Sequence, residues 1–343
     1  MHTVTLTPPA RGNAGTNIQI GSGALAHVSK LTTGHDRIVI LFDESIAEIA
    51  KRLVIADAIR ISVKSGDASK SLSEVDRVVS LMLENGCTRK TLLICVGGGM
   101  MTDLGGFIAS VFMRGIPCVL VPTTLLGMVD AAIGGKTAVN VGAKKNMIGT
   151  ITHPQSVLID TDLLASLPDA QLSEGLSEII KIAAIVDHPF FEWLEEVMPQ
   201  ILKRHAIILE ECVLRAVTAK VNIVQADEHE RDERLLLNFG HTVGHAVEAL
   251  SEYKISHGNC VSIGTVAEMK LAAFKEAPRV TKLLVEANLP TQIPVAMKPA
   301  DLWSIMLSDK KNEKGVVKMA VPKRLGEGAV QMLSKEQFFT LFS

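Results

Sequence analysis

Apolar runs alternate with helical patterns through the first half of the chain. Residues 37–43 and 91–96 are almost continuous apolar segments, which is typical of strands buried on both faces of a sheet. Residues 59–63 have the character of a further strand, and residues 72–83 place apolar side chains at helical spacing. This alternation predicts an α/β domain.

The pattern changes in the second half, where strands nearly disappear. Residues 173–186 and 213–227 carry long helical patterns, and the tail over residues 316–333 is typical of a β-hairpin. A chain of 343 residues is also longer than chains that usually fold around a single hydrophobic core. We therefore predict two domains, an α/β domain over residues 1–166 and a mostly α-helical domain over residues 167–343.

Composition excludes several classes of partner. Apolar residues make up 47% of the chain and charged residues 21%, as in a well-packed globular protein. The formal net charge is −2, so no global basic field favours nucleic acid or an anionic membrane. Aromatic residues are only 4%, too few for platforms that stack single-stranded bases. We expect a small-molecule ligand, with neither nucleic acid nor membrane as a partner.

Cysteine usage and the amino terminus predict a cytoplasmic protein. The five cysteines are odd in number and form no Cys-x-x-Cys pair, so thiols in a reducing compartment are the simple interpretation. The first residues lack the basic and apolar regions of a secretory signal. The longest apolar stretch, residues 118–135, is interrupted by Pro122 and Asp130, so it is not expected to span a membrane.

A glycine triplet, Gly97 to Gly99, follows one predicted strand and precedes a helical pattern over residues 102–113. Strand, glycine loop and helix together favour phosphate binding, because the backbone can approach the phosphate and the helix N-terminus supplies N–H groups. The strict dinucleotide fingerprint fails, since its third glycine would fall at Thr102. The triplet is thus compatible with a Rossmann-like nucleotide site or with a plain tight turn. Asp43 is a candidate for ribose hydroxyls or a helix N-cap.

Further glycines follow at residues 134–135 and 142–149. The Gly-Gly-Lys-Thr segment would need another glycine at position 130 to form a nucleoside-triphosphatase loop, and that position is Asp130. The nucleoside-triphosphatase interpretation therefore fails. Lys136, Lys145 and Asn146 remain in glycine-rich segments, where they suit anionic and polyhydroxylated ligands.

Three histidines favour a metal site in the second half. His241 and His245 lie four residues apart, which places both imidazoles on one helix face, and His257 follows. The zinc-protease pattern requires Glu after the first histidine, where this chain has Thr242. Ordinary core or surface histidines are the alternative interpretation.

Glu178 is the candidate for the third ligand. It lies three residues before Lys181 within a largely apolar helical pattern, and a buried carboxylate needs a cation or a metal. The alternative is a surface ion pair between Glu178 and Lys181, which stabilises little. With His241 and His257, Glu178 would complete three ligands with an open position for a substrate.

These residues are part of a series of segments that together resemble one enzyme family. The segment Asn-Phe-Gly-His-Thr-Val-Gly-His at residues 238–245 resembles the 3-dehydroquinate synthase family, and so do further segments in the same order along nearly the whole chain. Those segments are residues 66–70, 97–107, 112–116, 121–126, 129–137, 145–149, 177–181, 227–230, 234–248, 256–258 and 309–311.

The resemblance implies an activity. Family enzymes convert 3-deoxy-arabino-heptulosonate 7-phosphate to 3-dehydroquinate and phosphate in the shikimate pathway, using NAD⁺ catalytically with Zn²⁺ or Co²⁺. The implied steps are oxidation at C5, elimination of phosphate, re-reduction, ring opening and aldol closure. This chemistry requires NAD⁺ and metal to flank one substrate hydroxyl. The resemblance implies a substrate in a cleft between an NAD-binding domain and a metal-binding domain, and we hypothesise that the domains close over it.

The resemblance also implies roles for individual residues. The metal ligands are Glu178, His241 and His257, while His245 handles protons and Glu230 is a further acid/base group. The implied catalytic set is Glu230, His245, Lys181, Lys136, Arg234 and Asn238. The implied substrate-binding set is Arg114, Asp130, Lys136, Asn146, Lys181, Lys220, Arg234, Asn238 and Lys310. The implied NAD-binding set is Asp43, Asp67, Lys70, Gly98, Gly99, Asp103, Thr123, Thr124 and Lys145.

The family pattern suggests that Arg114 reaches a neighbouring subunit, so we expect a homodimer. The chain departs from the pattern at Asp67, where Glu is usual, and at Asp232, Asn259 and Thr265. These departures bear on rate and cofactor affinity. Alternatives are a related sugar phosphate cyclase, a polyol dehydrogenase and a non-enzymatic metal-binding scaffold. The polar residues at Lys136, Asn146, Lys220, Arg234 and Lys310 favour the shikimate substrate.

Overall fold

The computed structural model describes residues 1–7, 15–142, 144–308 and 316–342. Within it the chain forms two compact units, Met1–Leu167 and Pro168–Ser343. The first unit is an α/β structure with a mostly parallel sheet, and the second is mostly helical. The predicted fold class, an α/β Rossmann-like domain followed by a helical domain, is confirmed.

A seven-stranded sheet forms the centre of the first unit. Its strands are β1 (His2–Leu6), β2 (Thr16–Ile20), β3 (Ile38–Asp43), β4 (Ile59–Val63), β5 (Leu92–Gly97), β6 (Cys118–Pro122) and β9 (Ser156–Ile159). They lie in the order β1-β2-β9-β6-β5-β3-β4, and only the β1–β2 pairing is antiparallel. The intervening strands β7 (Lys136–Val141) and β8 (Lys144–Ile151) pair as a separate hairpin.

The order of strands creates a crevice at the ends of β3 and β5. From β3 the chain continues outward to β4, and it then returns to build β5, β6 and β9 on the other side. Such a reversal is where open α/β sheets bind ligands, outside the carboxyl ends of the strands. Asp43 ends β3 and Gly97 ends β5, so both residues lie at this point.

Helices pack against this sheet. Those of the first unit are α1 (Ala47–Lys51), α2 (Leu72–Glu84) and α3 (Gly99–Val111). The sequence prediction began α3 at Thr102, which is wrong by three residues, because the helix begins directly after the N-cap Gly98. Glycine is required within it: a Cβ at Gly105 would lie 2.1 Å from the Cys95 sulfur of β5. The last two glycines of the triplet therefore form the start of the helix itself.

The second unit is built from seven α-helices before a terminal hairpin, within the part of the chain that is described. They are α4 (Asp169–Val186), α5 (His188–Leu202), α6 (Ala206–Ala226), α7 (His241–Leu250), α8 (His257–Leu271), α9 (Ala277–Glu286) and α10 (Pro299–Leu307). The strands β10 (Val317–Arg324) and β11 (Glu327–Leu333) form the antiparallel hairpin predicted from the tail, and α11 (Lys335–Phe339) follows.

The core of this unit encloses the histidine-bearing helices. Val243 and Val247 of α7 pack with Ile263 of α8, Trp303 of α10 and Phe338 of α11. These residues lie on the inner faces of their helices, so the polar residues of α7 are directed to the remaining face. No helix among the described residues has both the length and the apolar character needed to cross a membrane.

Candidate active site

Two imidazoles and one carboxylate converge in the second unit. His241 is the first residue of α7, His257 is the first residue of α8, and Glu178 lies midway along α4. Glu178 Oε1 is 3.4 Å from Nε2 of His241 and 3.4 Å from Nε2 of His257. The three donor atoms lie within 4.8 Å of one another, so one metal ion could contact all of them.

The carboxylate of Glu178 fits a cation. Glu178 is 3% exposed, and its Oε2 pairs with the ammonium group of Lys181. Its Oε1 is buried and makes no hydrogen bond, although it faces both imidazoles. An unsatisfied buried carboxylate oxygen is costly, and a divalent ion would relieve that cost. Two nitrogen donors and one oxygen donor are a usual set for catalytic zinc.

The outer nitrogen of each imidazole also has a partner. His241 Nδ1 lies 3.2 Å from the carbonyl oxygen of Phe239, and His257 Nδ1 lies 3.4 Å from Glu248 Oε2. With a metal bound, such contacts would fix the tautomer of each histidine, with the N–H on Nδ1 and the lone pair on Nε2. Both Nε2 atoms are therefore presented to Glu178.

Charges around the cluster set the protonation of its members. Burial would raise the pKa of Glu178, but the Lys181 ammonium and His257 hold it well below its usual range. Burial and the nearby charge of Lys181 hold the pKa of His241 well below its ordinary value, so its imidazole is neutral. Burial would lower the pKa of His257, but Glu178 and Glu248 raise it to about 10. A bound cation would compete with the proton on His257.

His245 lies beside this cluster and is more exposed than its neighbours. Its ring centroid is 5.0 Å from that of His241 and 5.9 Å from that of His257. It belongs to an overlapping group with Glu248 and His257 that could also hold a cation. The predicted role of His245 in proton transfer, and not in metal binding, stays a prediction.

A loop of residues 227–238 brings together Glu230 and Asn238, two residues of the predicted catalytic set. The carboxylate of Asp227 accepts hydrogen bonds from the backbone N–H groups of Arg231, Asp232 and Arg234. Glu230 has a left-handed backbone, φ +57°, and its Oε1 accepts a hydrogen bond from Asn238 Nδ2. Glu230 and Asn238 are therefore in contact.

Buried cations lie beside this loop. Lys181 Nζ donates to the carbonyl oxygen of Leu237 at 2.8 Å, which joins the cluster to the loop. The guanidinium of Arg234 is buried and donates to the carbonyl oxygen of Glu228 at 2.6 Å, and Lys220 on α6 is also buried. Buried cations next to a polar loop suit an anionic ligand.

In the first unit, the predicted NAD-binding residues collect at the crevice. Asp43 Oδ1 accepts hydrogen bonds from Ser45 N at 2.9 Å and Ser45 Oγ at 2.7 Å, so its predicted N-cap role is observed. A Cβ at Gly98 would come within 3.1 Å of Thr124, and a Cβ at Gly99 within 3.1 Å of Ala131. Thr123 N donates to the Gly97 carbonyl oxygen at 2.9 Å. The glycines therefore allow the backbone of this loop to pack tightly.

A polar network extends from this loop to the β7–β8 hairpin. Lys70 is 5% exposed, and its ammonium group contacts Asp103 Oδ2 at 2.6 Å and Asn146 Oδ1. Lys145 forms an ion pair with Asp67. Residues predicted for NAD and for substrate are thus in direct contact here.

The remaining predicted residues of the first unit are more dispersed. Arg114 is exposed with φ +68°, and Asp130 lies in the π-helical turn Gly127–Ala131. Lys136 is exposed at the start of β7. The predicted substrate residue Lys310 lies outside the described residues.

Sequence reasoning missed three polar residues that support these sites. Glu248 contacts His257, Glu268 is fully buried against the start of α7, and Asn140 accepts a hydrogen bond from Asn146 N at 3.0 Å. Burial raises the pKa of Glu268 to about 8, although backbone N–H groups of α7 act in the opposite direction. Glu248 follows His245 by three residues, a helical spacing that could have indicated it. Nothing local marks Glu268 or Asn140.

Comparison with known families matches most of the chain, over residues 60–312. The family model described as 3-dehydroquinate synthase N-terminal matches residues 60–174, and the one described as 3-dehydroquinate synthase C-terminal matches residues 175–312. The 3-dehydroquinate synthase of Symbiobacterium thermophilum is 37% identical over 331 residues, covering 91% of this chain and 92% of that protein. The enzyme of the same name from Blochmanniella floridana is 41% identical over 273 residues, covering 77% and 75%.

Solved structures share the fold. The 2-epi-5-epi-valiolone synthase of Streptomyces hygroscopicus subsp. jinggangensis, with NAD⁺ and Zn²⁺ bound, has a TM-score of 0.87 at 26% identity and covers 98% of both chains. A 2-deoxy-scyllo-inosose synthase complexed with carbaglucose-6-phosphate, NAD⁺ and Co²⁺ has a TM-score of 0.86 at 23% identity and covers 99% of both chains.

Proposed function

The chain belongs to the 3-dehydroquinate synthase family, and from this premise we propose that it is an NAD⁺- and metal-dependent phosphate-eliminating lyase. Its substrate is 3-deoxy-arabino-heptulosonate 7-phosphate, and its products are 3-dehydroquinate and phosphate. The observation that carries the proposal is the cluster of Glu178, His241 and His257, in which a buried carboxylate oxygen faces two imidazoles. The NAD⁺ and Zn²⁺ bound in the 2-epi-5-epi-valiolone synthase support NAD⁺ and a divalent ion such as Zn²⁺.

Glu178, His241 and His257 would hold the metal ion. When bound, the ion would supply Lewis-acid polarisation of substrate oxygens, and NAD⁺ would supply reversible redox chemistry at C5. Lys181 neutralises the second oxygen of Glu178 and thereby keeps this buried carboxylate ionised for metal binding.

The acid/base work falls to residues beside the cluster. Oxidation at C5 acidifies the neighbouring C–H, and elimination then expels phosphate while a base accepts the proton. His245 and Glu230 are proposed to hold and move the protons. His245 lies next to the cluster, and Glu230 lies in the adjoining loop of residues 227–238. Asn238 orients the Glu230 carboxylate through its side-chain amide.

The charges of the substrate match the cations of the site. We assign its carboxylate, hydroxyls and phosphate to Lys136, Asn146, Lys181, Lys220, Arg234 and Asn238, together with Arg114, Asp130 and Lys310. Two of these cations, Lys220 and Arg234, are buried at 7% and 2% exposure, where an unscreened anion would bind strongly. The NAD⁺ contacts are assigned to Asp43, Asp67, Lys70, Gly98, Gly99, Asp103, Thr123, Thr124 and Lys145.

A homodimer in the cytoplasm completes the proposal. Apolar side chains on the β7–β8 hairpin support a partner surface, since Met147, Ile148 and Ile151 are 39–42% exposed. The five cysteines are all free thiols, which fits a reducing compartment. Sedimentation equilibrium would test the dimer, and a monomer at all concentrations would contradict it.

A substrate panel tests the proposed reaction against its nearest alternative. The Zn²⁺-loaded enzyme with NAD⁺ would be offered the heptulosonate phosphate, glucose 6-phosphate and sedoheptulose 7-phosphate, with products identified by mass spectrometry. We expect 3-dehydroquinate from the first substrate and no cyclised product from the others. Turnover only of glucose 6-phosphate or sedoheptulose 7-phosphate would assign the chain to a sister cyclase. Net accumulation of NADH would indicate a plain dehydrogenase.

A further inference from the structure

Glu268 joins the two helices that begin with the histidine donors. It lies on α8, three turns after His257, and its side chain is completely buried. Its Oε2 accepts a hydrogen bond from Gly240 N at 2.7 Å, and its Oε1 accepts one from Val243 N at 2.9 Å. Both donors flank His241 in the chain, so the carboxyl group of Glu268 holds the start of α7.

The start of α7 is not capped by its own N-cap residue. Its own N-cap residue is Gly240, with φ +78°, which has no side chain to accept from the exposed N–H groups. The first N–H groups of a helix need acceptors when they are buried. Glu268 supplies these acceptors from the neighbouring helix, whereas the acceptor usually comes from the side chain of the N-cap residue itself.

The backbones of α7 and α8 approach too closely for α7 to shift freely. A Cβ at Gly264 would lie 1.9 Å from the Gly240 carbonyl oxygen, and one at Gly244 would lie 2.8 Å from the Cys260 carbonyl oxygen. Glycines therefore bring the helices together, and Glu268 fixes α7 at its first turn. His241 and Thr242 are the two residues between the capped positions.

We propose that Glu268 is a positioning residue of the metal centre, which acts through the first turn of α7 to hold His241 opposite Glu178 and His257. The inference rests on the proposed function, because it presupposes that these three residues bind the metal. A cap that served stability alone would leave metal affinity and ligand geometry unchanged. A positioning role alters both.

Three variants separate these roles in the full-length protein. Glu268→Gln keeps the shape but has one acceptor oxygen for two N–H groups, and Glu268→Asp is one methylene shorter and cannot reach both. The matched control is Asp187→Ala, which removes a helix cap elsewhere, because Asp187 caps α5 through Phe190 N at 2.9 Å, and α5 carries no proposed ligand. Co²⁺ affinity would be measured by competition with a chromophoric chelator, together with the visible absorption spectrum of the Co²⁺ form and urea unfolding of the metal-free form.

We expect Glu268→Gln to bind Co²⁺ about 10–100-fold more weakly than wild type, with a changed visible spectrum. Asp187→Ala should lose about 1 kcal/mol of stability while its affinity stays within about twofold of wild type and its spectrum is unchanged. Glu268→Asp gives the same comparison if the Gln variant does not fold. Wild-type affinity and spectrum in the Glu268 variants would overturn the proposal.

Failure of the proposed metal centre gives a different result. In that case wild type would bind no stoichiometric Co²⁺, or His241→Ala would bind it as well as wild type. Either result would overturn both inferences, whereas an intact centre that is insensitive to Glu268 would overturn this one alone.

Discussion

Glu178 places a carboxylate among cations and imidazoles where water has little access. Its oxygen atoms have different surroundings, since one pairs with Lys181 and the other faces His241 and His257. Burying an ion pair is costly, and removing one partner leaves an uncompensated charge. The arrangement is therefore poor as a device for stability alone, but it suits a site that receives a second cation.

Substitution of the two α7 histidines should separate metal binding from proton transfer. His241→Ala removes an Nε2 donor and should abolish stoichiometric Zn²⁺ binding. His245→Ala should keep the metal and lower kcat by about 10²–10⁴-fold, the usual contribution of a general acid or base. Metal content by atomic emission and steady-state rates would measure both effects. Equal metal loss in the two variants would contradict the assignment of ligands.

Several site residues have strained backbones. Arg114, Asn146 and Glu230 have φ values of +68°, +55° and +57°, a region that residues with side chains rarely adopt. Such conformations persist only where surrounding contacts hold them. For Asn146 one such contact is the hydrogen bond from its N–H to Asn140 Oδ1, and Glu230 lies in the loop held by Asp227.

Asp227 should give the 227–238 loop a pH dependence. Burial would raise its pKa, but three backbone N–H groups and the charge of Arg234 outweigh burial and lower it. Because the folded-state pKa lies below the usual value of about 3.9, its stabilising contribution is complete above that pH and is lost as pH falls through the folded-state pKa.

Unfolding by urea between pH 7 and pH 3 would test this contribution. Asp227→Asn removes the titrating group, so the variant should be less stable than wild type at pH 7 and should lose less stability on acidification. Parallel curves for the two proteins would contradict this account of Asp227.

The sequence identifies the residues of the site more readily than the contacts that hold them. The predicted set of Glu178, His241 and His257 came from a charged residue in an apolar helical pattern, from histidines in one segment and from the family resemblance, and the structure brings these three side chains together. Glu268 could not be predicted, because its role depends on the start of another helix, 28 residues away in sequence. An isolated buried Glu carries no periodic signal.

At the scale of elements, the contact between α7 and α8 determines the positions of the histidines. Gly240, Gly244 and Gly264 allow backbone-to-backbone contact there, and larger residues would separate the helices. Thr265, a departure from the family pattern, lies in the same contact, since its Oγ1 is 2.4 Å from the position of a Cβ on Gly240. This departure therefore concerns packing of the two helices.

Gly264→Ala should destabilise this contact. Alanine gains about 1 kcal/mol over glycine in a helix interior, but the added Cβ would overlap two backbone atoms of α7, at 1.9 and 2.6 Å. Overpacking of this kind costs about 1–3 kcal/mol or more. We expect a lower free energy of unfolding in urea and weaker Zn²⁺ binding. Lys270→Ala, on the exposed face of α8, is the control and should change neither quantity. An unchanged Gly264→Ala protein would contradict the close packing.

Element boundaries illustrate the limits of local patterns. The buried strands β3 and β5 could be predicted because they are continuous apolar runs. The β7–β8 hairpin was not predicted, since β8 is mostly exposed and lacks a regular apolar alternation. In that hairpin Thr137 of β7 lies opposite Thr150 of β8, a pairing that no pattern within β8 predicts.

At the scale of the whole molecule, metal binding should be coupled to the stability of the helical unit. The donors come from three helices, α4, α7 and α8, so the ion would cross-link segments far apart in sequence. A ligand that binds only the folded state stabilises it by about 2.7 kcal/mol at one hundred times its Kd.

Removal of the metal by a chelator should therefore lower the Tm of this unit, and added Zn²⁺ should restore it. Calorimetry of the chelated and reloaded protein would measure the change, with His241→Ala as the control that shows no metal-dependent shift. An identical Tm with and without metal in wild type would contradict the cross-link.

The fold class of each half could be predicted because it depends on patterns within segments and not on contacts between them. Apolar runs and helical periodicity are properties of whole segments, and they survive errors of a few residues at element ends. The positions of side chains within a site depend on packing between segments, which no local pattern contains.

The most direct test of the account is phosphate release from 3-deoxy-arabino-heptulosonate 7-phosphate. The assay would compare the complete enzyme with samples that lack NAD⁺, lack Zn²⁺ or carry His241→Ala. We expect phosphate and 3-dehydroquinate in equal amounts from the complete enzyme, no net NADH, and no turnover in the other samples. Undiminished phosphate release without NAD⁺ or without metal would contradict it.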